Sequence, residues 1–209
     1  MFYQQGLDNA LRLGDVLSGF VLSATTIDDP QKVISTQFSV SIEIPDFVVV
    51  LSPCCSIEKG VITLTPLIEV RSSFFNNPYF IEDLTRINRI MRPEDSVSPS
   101  VWKNLGQEEQ NKRLQEGPTF AFSNLFIYEK NQLFKDYVLH RKEGNTSTNY
   151  YMIDFKNTHK INCSKIINPQ DSPFHLKYLQ LSIDSRSELR LKLAKFYSRI
   201  PDEDRTGDD

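Results

Sequence analysis

The cysteine and histidine side chains are the groups in this sequence best suited to chemistry. Cys55 lies in a short polar segment after the apolar run at 49–51, and the end of a buried strand is a common place for a reactive group. As a nucleophile, Cys55 would require a general base and surroundings that lower the pKa of its thiol. The candidates for that base are His140, His159 and His175.

A zinc site is the second interpretation of Cys55. His159 and Cys163 are separated by three residues, a spacing that one zinc ion can bridge, and Cys55 would supply a third ligand. In the third interpretation Cys55 is a small buried residue, because a free cysteine packs as a modest hydrophobe. The sequence contains no Cys-x-x-Cys pair, so we favour the packing role and predict no cofactor, with zinc as the alternative.

Cysteine content and charge indicate the compartment and the class of partner. Three cysteines, and a start at residues 1–6 with neither a basic nor an apolar character, are typical of a reduced cytoplasmic protein. No apolar run approaches the about 20 residues of a membrane span, so we expect no membrane partner. Residues 201–209 hold five acids and one base and are predicted to be an acidic flexible tail. The remaining chain is nearly neutral, which disfavours nucleic acid as a partner.

The elements that must position these residues are mainly strands. Residues 34–44 alternate between apolar and polar side chains, which predicts a strand with one buried and one wet face. Residues 47–51 are apolar on both faces, which predicts a central strand buried on each side. Asp154 is expected on the wet face of an edge strand. The fold class is therefore α+β and mainly β, with residues 1–200 forming a single β-rich domain.

Helical patterns occur at two places in the chain. Residues 79–116 are predicted to form a two-helix insertion, with one helix ending at Pro93 and the other beginning at Ser98-Pro99. The aromatic segment at 74–80 lies on a loop, where such side chains either anchor the loop to the core or form a partner-binding patch, and we expect the anchoring role.

The last predicted element is an amphipathic helix at 184–200. Its apolar stripe consists of Leu189, Leu193, Phe196 and Ile200, which step by four, three and four and so share one face. Phe196 is expected to be the deepest of the four, and Lys192 is expected to face water.

Four short motifs resemble those of a diffuse family of uncharacterised bacterial proteins, which have a Ser/Thr-x-x-Cys-Asp-Ile motif at the end of a strand. They are Gly-Asp-Val at 14–16, Ser-Pro-Cys-Cys-Ser-Ile at 52–57, Tyr-Met-Ile-Asp-Phe at 151–155 and Leu-Ala-Lys-Phe-Tyr-Ser-Arg at 193–199. The family has a carboxylate directly after the cysteine, where this chain has Ser56.

The Gly-Asp-Val strand and the run Val-Val-Val-Leu-Ser at 48–52 also resemble the MazF/PemK toxin barrel. This resemblance implies a small SH3-like or PemK-like barrel, here carrying the two-helix insertion and the C-terminal helix. It also implies a ribonuclease that works by general acid–base chemistry and electrostatic stabilisation of the scissile phosphate. The candidate catalytic residues would then be Asp15, Ser52 and Arg71.

Three functions remain open from the sequence. The preferred one is a non-enzymatic interaction module that recognises a protein partner, as an accessory subunit of a bacterial anti-phage defence or toxin–antitoxin system. The first alternative is a MazF/PemK-like ribonuclease toxin. The second is a cysteine- or zinc-dependent enzyme that uses Cys55.

Overall fold

The computed structural model describes residues 1–27, 38–53, 57, 60–162 and 176–198. The chain divides into two compact units, the first formed by Met1–Leu67 with Asn157–Ile183 and the second by Ile68–Lys156 with Asp184–Asp209. The acidic segment at 201–209 lies outside the described residues. The prediction of a single domain over residues 1–200 stays a prediction.

The described strands are all two to six residues long. They are β1 (Val16–Leu17), β2 (Leu22–Ile27), β3 (Phe38–Glu43), β4 (Val48–Val50), β5 (Val61–Pro66), β6 (Ile68–Glu69), β7 (Leu125–Tyr128), β8 (Tyr137–Leu139), β9 (Thr146–Thr148), β10 (Tyr151–Asp154), β11 (His159–Asn162) and β12 (Lys177–Leu179). The helices with described bounds are α1 (Pro78–Ile81), α2 (Pro99–Asn104), α3 (Gln107–Glu116) and α4 (Ile183–Tyr197), with 3-10 helices at Ser72–Asn76 and Leu84–Asn88. This content confirms the α+β, mainly β class.

The first unit is built on a five-stranded antiparallel sheet in the order β11-β5-β4-β1-β12. The central strand β4 consists of Val48, Val49 and Val50, all of which are buried. Its apolar character on both faces therefore predicted its central position correctly. Leu17 and Ile62 join Val48 and Val50 in the core of this unit.

The strand predicted at 34–44 is present in the first unit as β3, and residues 34–37 lie outside the described part. The prediction that one face of this strand is buried is wrong, because every residue of β3 is exposed. The strand pairs only with β2 within the described ranges, in a separate two-stranded sheet. The alternating residues do form a strand, as predicted, but the apolar side of β3 is exposed and is not packed on a core.

The second unit contains a three-stranded antiparallel sheet in the order β6-β10-β7 and a two-stranded sheet of β8 and β9. Asp154 therefore belongs to the middle strand of the larger sheet, and the prediction of an edge position is wrong. Its carboxylate is half-buried and accepts a hydrogen bond of 2.8 Å from Asn124 Nδ2. Among the described residues the strands form open sheets, and none of these sheets closes into a barrel.

The aromatic segment at 74–80 anchors the second unit, as predicted. Phe74, Phe75 and Phe80 are buried in the same apolar cluster as Leu84 and Ile87. The chain here forms short helices where the sequence predicted one longer helix, because Asp83 interrupts it. The Asp83 carboxylate accepts a 2.9 Å hydrogen bond from the Thr85 backbone N–H, and this cap begins the 3-10 helix Leu84–Asn88.

The second predicted helix of the insertion is also divided, into α2 and α3. Leu105 and Gly106 adopt extended backbone conformations between the two. The amide of Gln110, on α3, donates to the backbone oxygens of Trp102 (2.9 Å) and Leu105 (3.1 Å). These bonds give both carbonyl oxygens at the end of α2 a side-chain donor, so the break is stabilised by a side chain.

The C-terminal helix α4 is present, but its buried stripe differs from the predicted one. Leu189 is fully buried, whereas Phe196 is half-buried and packs against Phe155 with ring centroids 5.6 Å apart. Lys192 is also fully buried, so the prediction that it faces water is wrong. Its ammonium donates to the backbone oxygen of Ile87 and lies 5.0 Å from the ring centroid of Phe120.

We expect the variant Asn88→Ala to destabilise the second unit by about 2 kcal/mol, because buried hydrogen-bonding groups would lose their partner. The Asn88 side chain donates to the backbone oxygen of Ile127 (2.8 Å) and accepts from its N–H (2.7 Å), which caps the outer edge of β7. Urea unfolding measures the loss. Asn104→Ala, at an exposed position, is the matched control; equal midpoints for the two variants would contradict the role of Asn88.

Candidate functional site

Asp15, the first candidate catalytic residue, lies directly before β1 in the first unit. Its carboxylate is fully buried and lies 2.7 Å from the ammonium of Lys177, whose side chain is also buried. The same carboxylate accepts a 2.9 Å hydrogen bond from the Arg12 backbone N–H. This ion pair is packed inside the unit, where a buried charge requires an opposite charge and hydrogen bonds.

Lys177 also fixes the chain that precedes Asp15. Its ammonium donates to the backbone oxygens of Ala10 (3.0 Å) and Asp8 (3.3 Å). Burial would raise the pKa of Asp8, but hydrogen bonds from Arg12 and Gln180 and the charge of Lys177 lower it to about 2. The network therefore holds residues 8–15 against β12. We call this set of contacts around Lys177 the structural clamp.

Ser52 and Arg71, the other candidate catalytic residues, belong to different units. Ser52 is buried in the first unit, and its hydroxyl accepts a 2.6 Å hydrogen bond from the Thr63 backbone N–H. Arg71 is in the second unit, where Nη2 lies 3.8 Å from Asp154 Oδ2 and about half of the side chain is exposed. Asp15, directly before β1, and Ser52, shortly after β4, lie at neighbouring strand ends, since the Val50 N–H donates to the Asp15 carbonyl oxygen (3.0 Å). The Asp15 carboxylate is engaged by Lys177 and Arg12, and the Ser52 hydroxyl by Thr63.

The predicted zinc ligands are described only in part. His159 is half-buried on β11, with Nδ1 3.0 Å from the Ser23 carbonyl oxygen and Nε2 3.1 Å from Asn157 Oδ1. Cys55 and Cys163 lie outside the described residues, as does His175. Within the described ranges no three His, Cys, Asp or Glu side chains form a group able to hold a metal ion. The zinc and nucleophile interpretations of Cys55 stay predictions.

The most unusual surface of the first unit is the pair of strands Leu22–Ile27 and Phe38–Glu43, which we call the β2–β3 ribbon. Its register places Thr25 opposite Val40 and Ser23 opposite Ile42. Residues that are directly opposite in an antiparallel pair share a face. Phe38, Val40 and Ile42 therefore lie on one face, together with the β2 positions of Ser23, Thr25 and Ile27.

The apolar face of the β2–β3 ribbon points to solvent. The exposed fractions of Phe38, Val40 and Ile42, which we call the apolar stripe, are 62%, 55% and 69%. Ile44 and Val21, which flank the ribbon, are 76% and 57% exposed. Single exposed apolar residues are ordinary, but a contiguous group of this kind marks an interaction site.

Apart from the buried Leu22 at the start of β2, the described side chains of the ribbon are exposed on both faces. The ribbon therefore has little of its own to stabilise it, because isolated hairpins are marginal in water. Glu43 is the one charged residue of the two strands, so the ribbon also lacks the charges that protect open edges. Among the described strands none pairs with the outer edge of β3. Within the described part of the chain the ribbon thus combines an apolar face with an edge that no strand pairs with.

The sequence contains a signal for this surface that the pattern of β3 alone does not show. A hairpin that packs on a core requires apolar residues on the same face of both strands. The positions of β2 on that face are Ser23, Thr25 and Ile27, and two of the three are too polar to continue a buried layer. The alternation in β3 predicts a strand, whereas the composition of β2 indicates that the apolar side of β3 faces solvent.

Comparisons with known proteins do not extend these observations. No protein-family model matches the chain, and no curated protein or solved structure matches it significantly. None of the helices in the described ranges has both the length and the apolar character that a membrane-spanning helix requires. The function is therefore argued from the geometry of the described residues.

Proposed function

We propose that this protein is a non-enzymatic interaction module that binds a protein partner through the β2–β3 ribbon. The observation that carries the proposal is the exposed apolar stripe of Phe38, Val40 and Ile42. Removing such side chains from water is the main favourable contribution to protein association. In the chain by itself these three side chains remain exposed to water, so the free energy of burying them is available to a partner.

The partner segment is an extended strand with apolar residues at alternate positions. The open edge of β3 offers backbone N–H and C=O groups to an added strand, and side chains on alternate positions provide selectivity. Phe38 is the expected anchor, because aromatic residues dominate the energetics of interfaces. The serines and threonines of the ribbon carry no charge, so complementarity to the partner is apolar and steric.

The biological setting that we propose is that of an accessory subunit in a bacterial anti-phage defence or toxin–antitoxin system. Its support is the resemblance of the motifs at 14–16 and 52–57 to bacterial proteins and to the MazF/PemK toxin barrel. The small SH3-like or PemK-like barrel is part of this proposal. The ribonuclease and Cys55 alternatives stay predictions. The ribonuclease is the less favoured of the two functions argued from the site, because within the described residues the side chains of Asp15 and Ser52 are buried and hydrogen-bonded.

A variant carrying Phe38→Ser, Val40→Thr and Ile42→Thr should retain its fold and lose its partner. The three side chains are already exposed, so the melting temperature should change by only a few degrees. The tagged protein, expressed in its native host, is isolated with its partners after cross-linking, and these are quantified by mass spectrometry. We expect recovery of the partner to fall by about tenfold or more, since apolar anchors each contribute at least 1 kcal/mol.

The matched control changes three exposed apolar residues of the second unit, with Leu114→Ser, Leu133→Ser and Val138→Thr. Their exposed fractions are 51%, 43% and 52%, so a general loss of surface hydrophobicity would affect both variants equally. Equal recovery from the ribbon variant and the control would overturn the proposal. A dimer of the wild-type chain that dissociates only in the ribbon variant would place a second copy on the ribbon in place of a foreign partner.

A further inference from the structure

The second unit contains an open cleft of about 660 Å³. Its walls are the 3-10 helix Ser72–Asn76, the start of α2 and the turn that follows β8. The volume is that of a site for a small organic molecule. His140, directly after β8, is one of the lining residues and is exposed.

Hydrogen-bond donors dominate the lining of this cleft. The side chains that can donate are those of Ser72, Ser73, Asn76, Ser98, Ser100, His140, Arg141 and Lys142. Glu143 is the one carboxylate among the lining residues, which include the cations of Arg141 and Lys142. The lining therefore carries a net positive charge and many N–H and O–H groups, which is the composition that an anion requires.

Arg141 is held in place by the fold. Its Nη2 donates to the backbone oxygen of Phe75 (3.1 Å), and the guanidinium lies 5.4 Å from the centroid of the Phe75 ring. The contacts to Glu143 Oε2 and Thr146 Oγ1 are long, at 3.4 Å each. Its Nε is buried and has no hydrogen-bond partner among the described residues. A positioned guanidinium with unused donor capacity is suited to an oxyanion.

Lys142 and the serines supply further donors. In the described part of the chain the Lys142 ammonium makes no ion pair or hydrogen bond, and neither do the hydroxyls of Ser72 and Ser73. Ser98 and Ser100, on the opposite wall, are joined by a 3.1 Å hydrogen bond between their hydroxyls. The donors thus come from three separate segments that the fold brings to one cleft.

We propose that this cleft binds the phosphate group of a small phosphorylated molecule. Arg141 and Lys142 bind the oxyanion, and the hydroxyls of Ser72 and Ser73 donate to its remaining oxygens. The cleft is larger than a phosphate ion, so the remainder of the ligand is an organic group that lies toward Val101, which is 48% exposed at the rim. This site is independent of the β2–β3 ribbon and of the protein-binding function.

The test is titration of the full chain with inorganic pyrophosphate by isothermal calorimetry, with inorganic sulfate and a short single-stranded RNA as comparisons. Lys142→Ala should weaken pyrophosphate binding by about tenfold, because a charge-assisted hydrogen bond is lost. Adding Ser72→Ala and Ser73→Ala to the Lys142→Ala variant should weaken pyrophosphate binding further. Lys142 is exposed and makes no contact that holds the fold, so the variant remains folded.

Lys156→Ala is the matched control, because Lys156 is an exposed lysine of the same unit outside the cleft. The proposal is overturned if pyrophosphate does not bind at millimolar concentration, or if Lys142→Ala and Lys156→Ala have equal effects. Tighter binding of the RNA than of pyrophosphate, with the same dependence on Lys142, would assign the cleft to a nucleic-acid backbone and reject a small phosphorylated ligand.

Discussion

Replacement of Lys177 by methionine is expected to lower the free energy of unfolding by about 3–5 kcal/mol, which is the usual cost of leaving one member of a buried ion pair without the other. The Asp15 carboxylate is fully buried and would lose the ammonium that lies 2.7 Å away. The backbone oxygens of Asp8 and Ala10 would lose the same donor. Urea unfolding is followed by circular dichroism, which reports on both units. The fluorescence of the single tryptophan, Trp102, would report on the second unit, where it lies.

Two further variants distinguish the ion pair from a general effect of removing a lysine. Lys160→Met, at an exposed position of the same unit, should change stability by no more than about 0.5 kcal/mol. The double variant Asp15→Asn with Lys177→Met should recover part of the loss, because a neutral amide is cheaper to bury than a carboxylate. A Lys177→Met variant as stable as Lys160→Met would refute the structural clamp.

The stability of the second unit is expected to rise with pH between about 7 and 9.5 because of Lys192. Burial lowers the pKa of Lys192 to about 7, against the opposing charge of Glu188, from an ordinary value of 10.5. Between these values the unfolded chain binds a proton that the folded chain has released, so a rise in pH favours the folded state. The slope approaches about 1.4 kcal/mol per pH unit.

Lys192→Met should remove this slope, as measured by urea unfolding at a series of pH values. Lys195→Met is the matched control, because Lys195 lies on the same helix and 5.6 Å from the same Phe120 ring but is exposed. The window ends below pH 10, since burial raises the pKa of Tyr137 and Tyr150 and their titration acts in the opposite sense. A slope that persists in Lys192→Met would show that another group causes it.

Local patterns in the sequence predicted the parts of the fold that depend on neighbouring residues. The three valines of β4 predicted a central strand because both faces are apolar, and the phenylalanines of 74–80 predicted core anchors. A C-terminal helix was also predicted. In each case the residues that decide the outcome lie within a few positions of one another.

Features that depend on distant residues could not be predicted in the same way. Lys192 is buried because a backbone oxygen at Ile87 and the ring of Phe120 receive its ammonium, and nothing in the helical pattern identifies those partners. Lys177 and Asp15 are distant in sequence, and no local pattern pairs them. The cleft at Arg141 is formed by three segments, so no single motif marks it.

The division of the first unit into two pieces of chain has a consequence for synthesis on the ribosome. Strand β1 pairs with β12, and the Asp15 carboxylate forms an ion pair with Lys177, so residues 1–67 are translated long before residues 157–183, which complete their unit. The second unit also requires α4, which is translated last among the described elements. The nascent chain therefore exposes both incomplete units, together with the apolar stripe, until the C-terminal quarter has left the exit tunnel. Chaperone binding during translation is the expected protection.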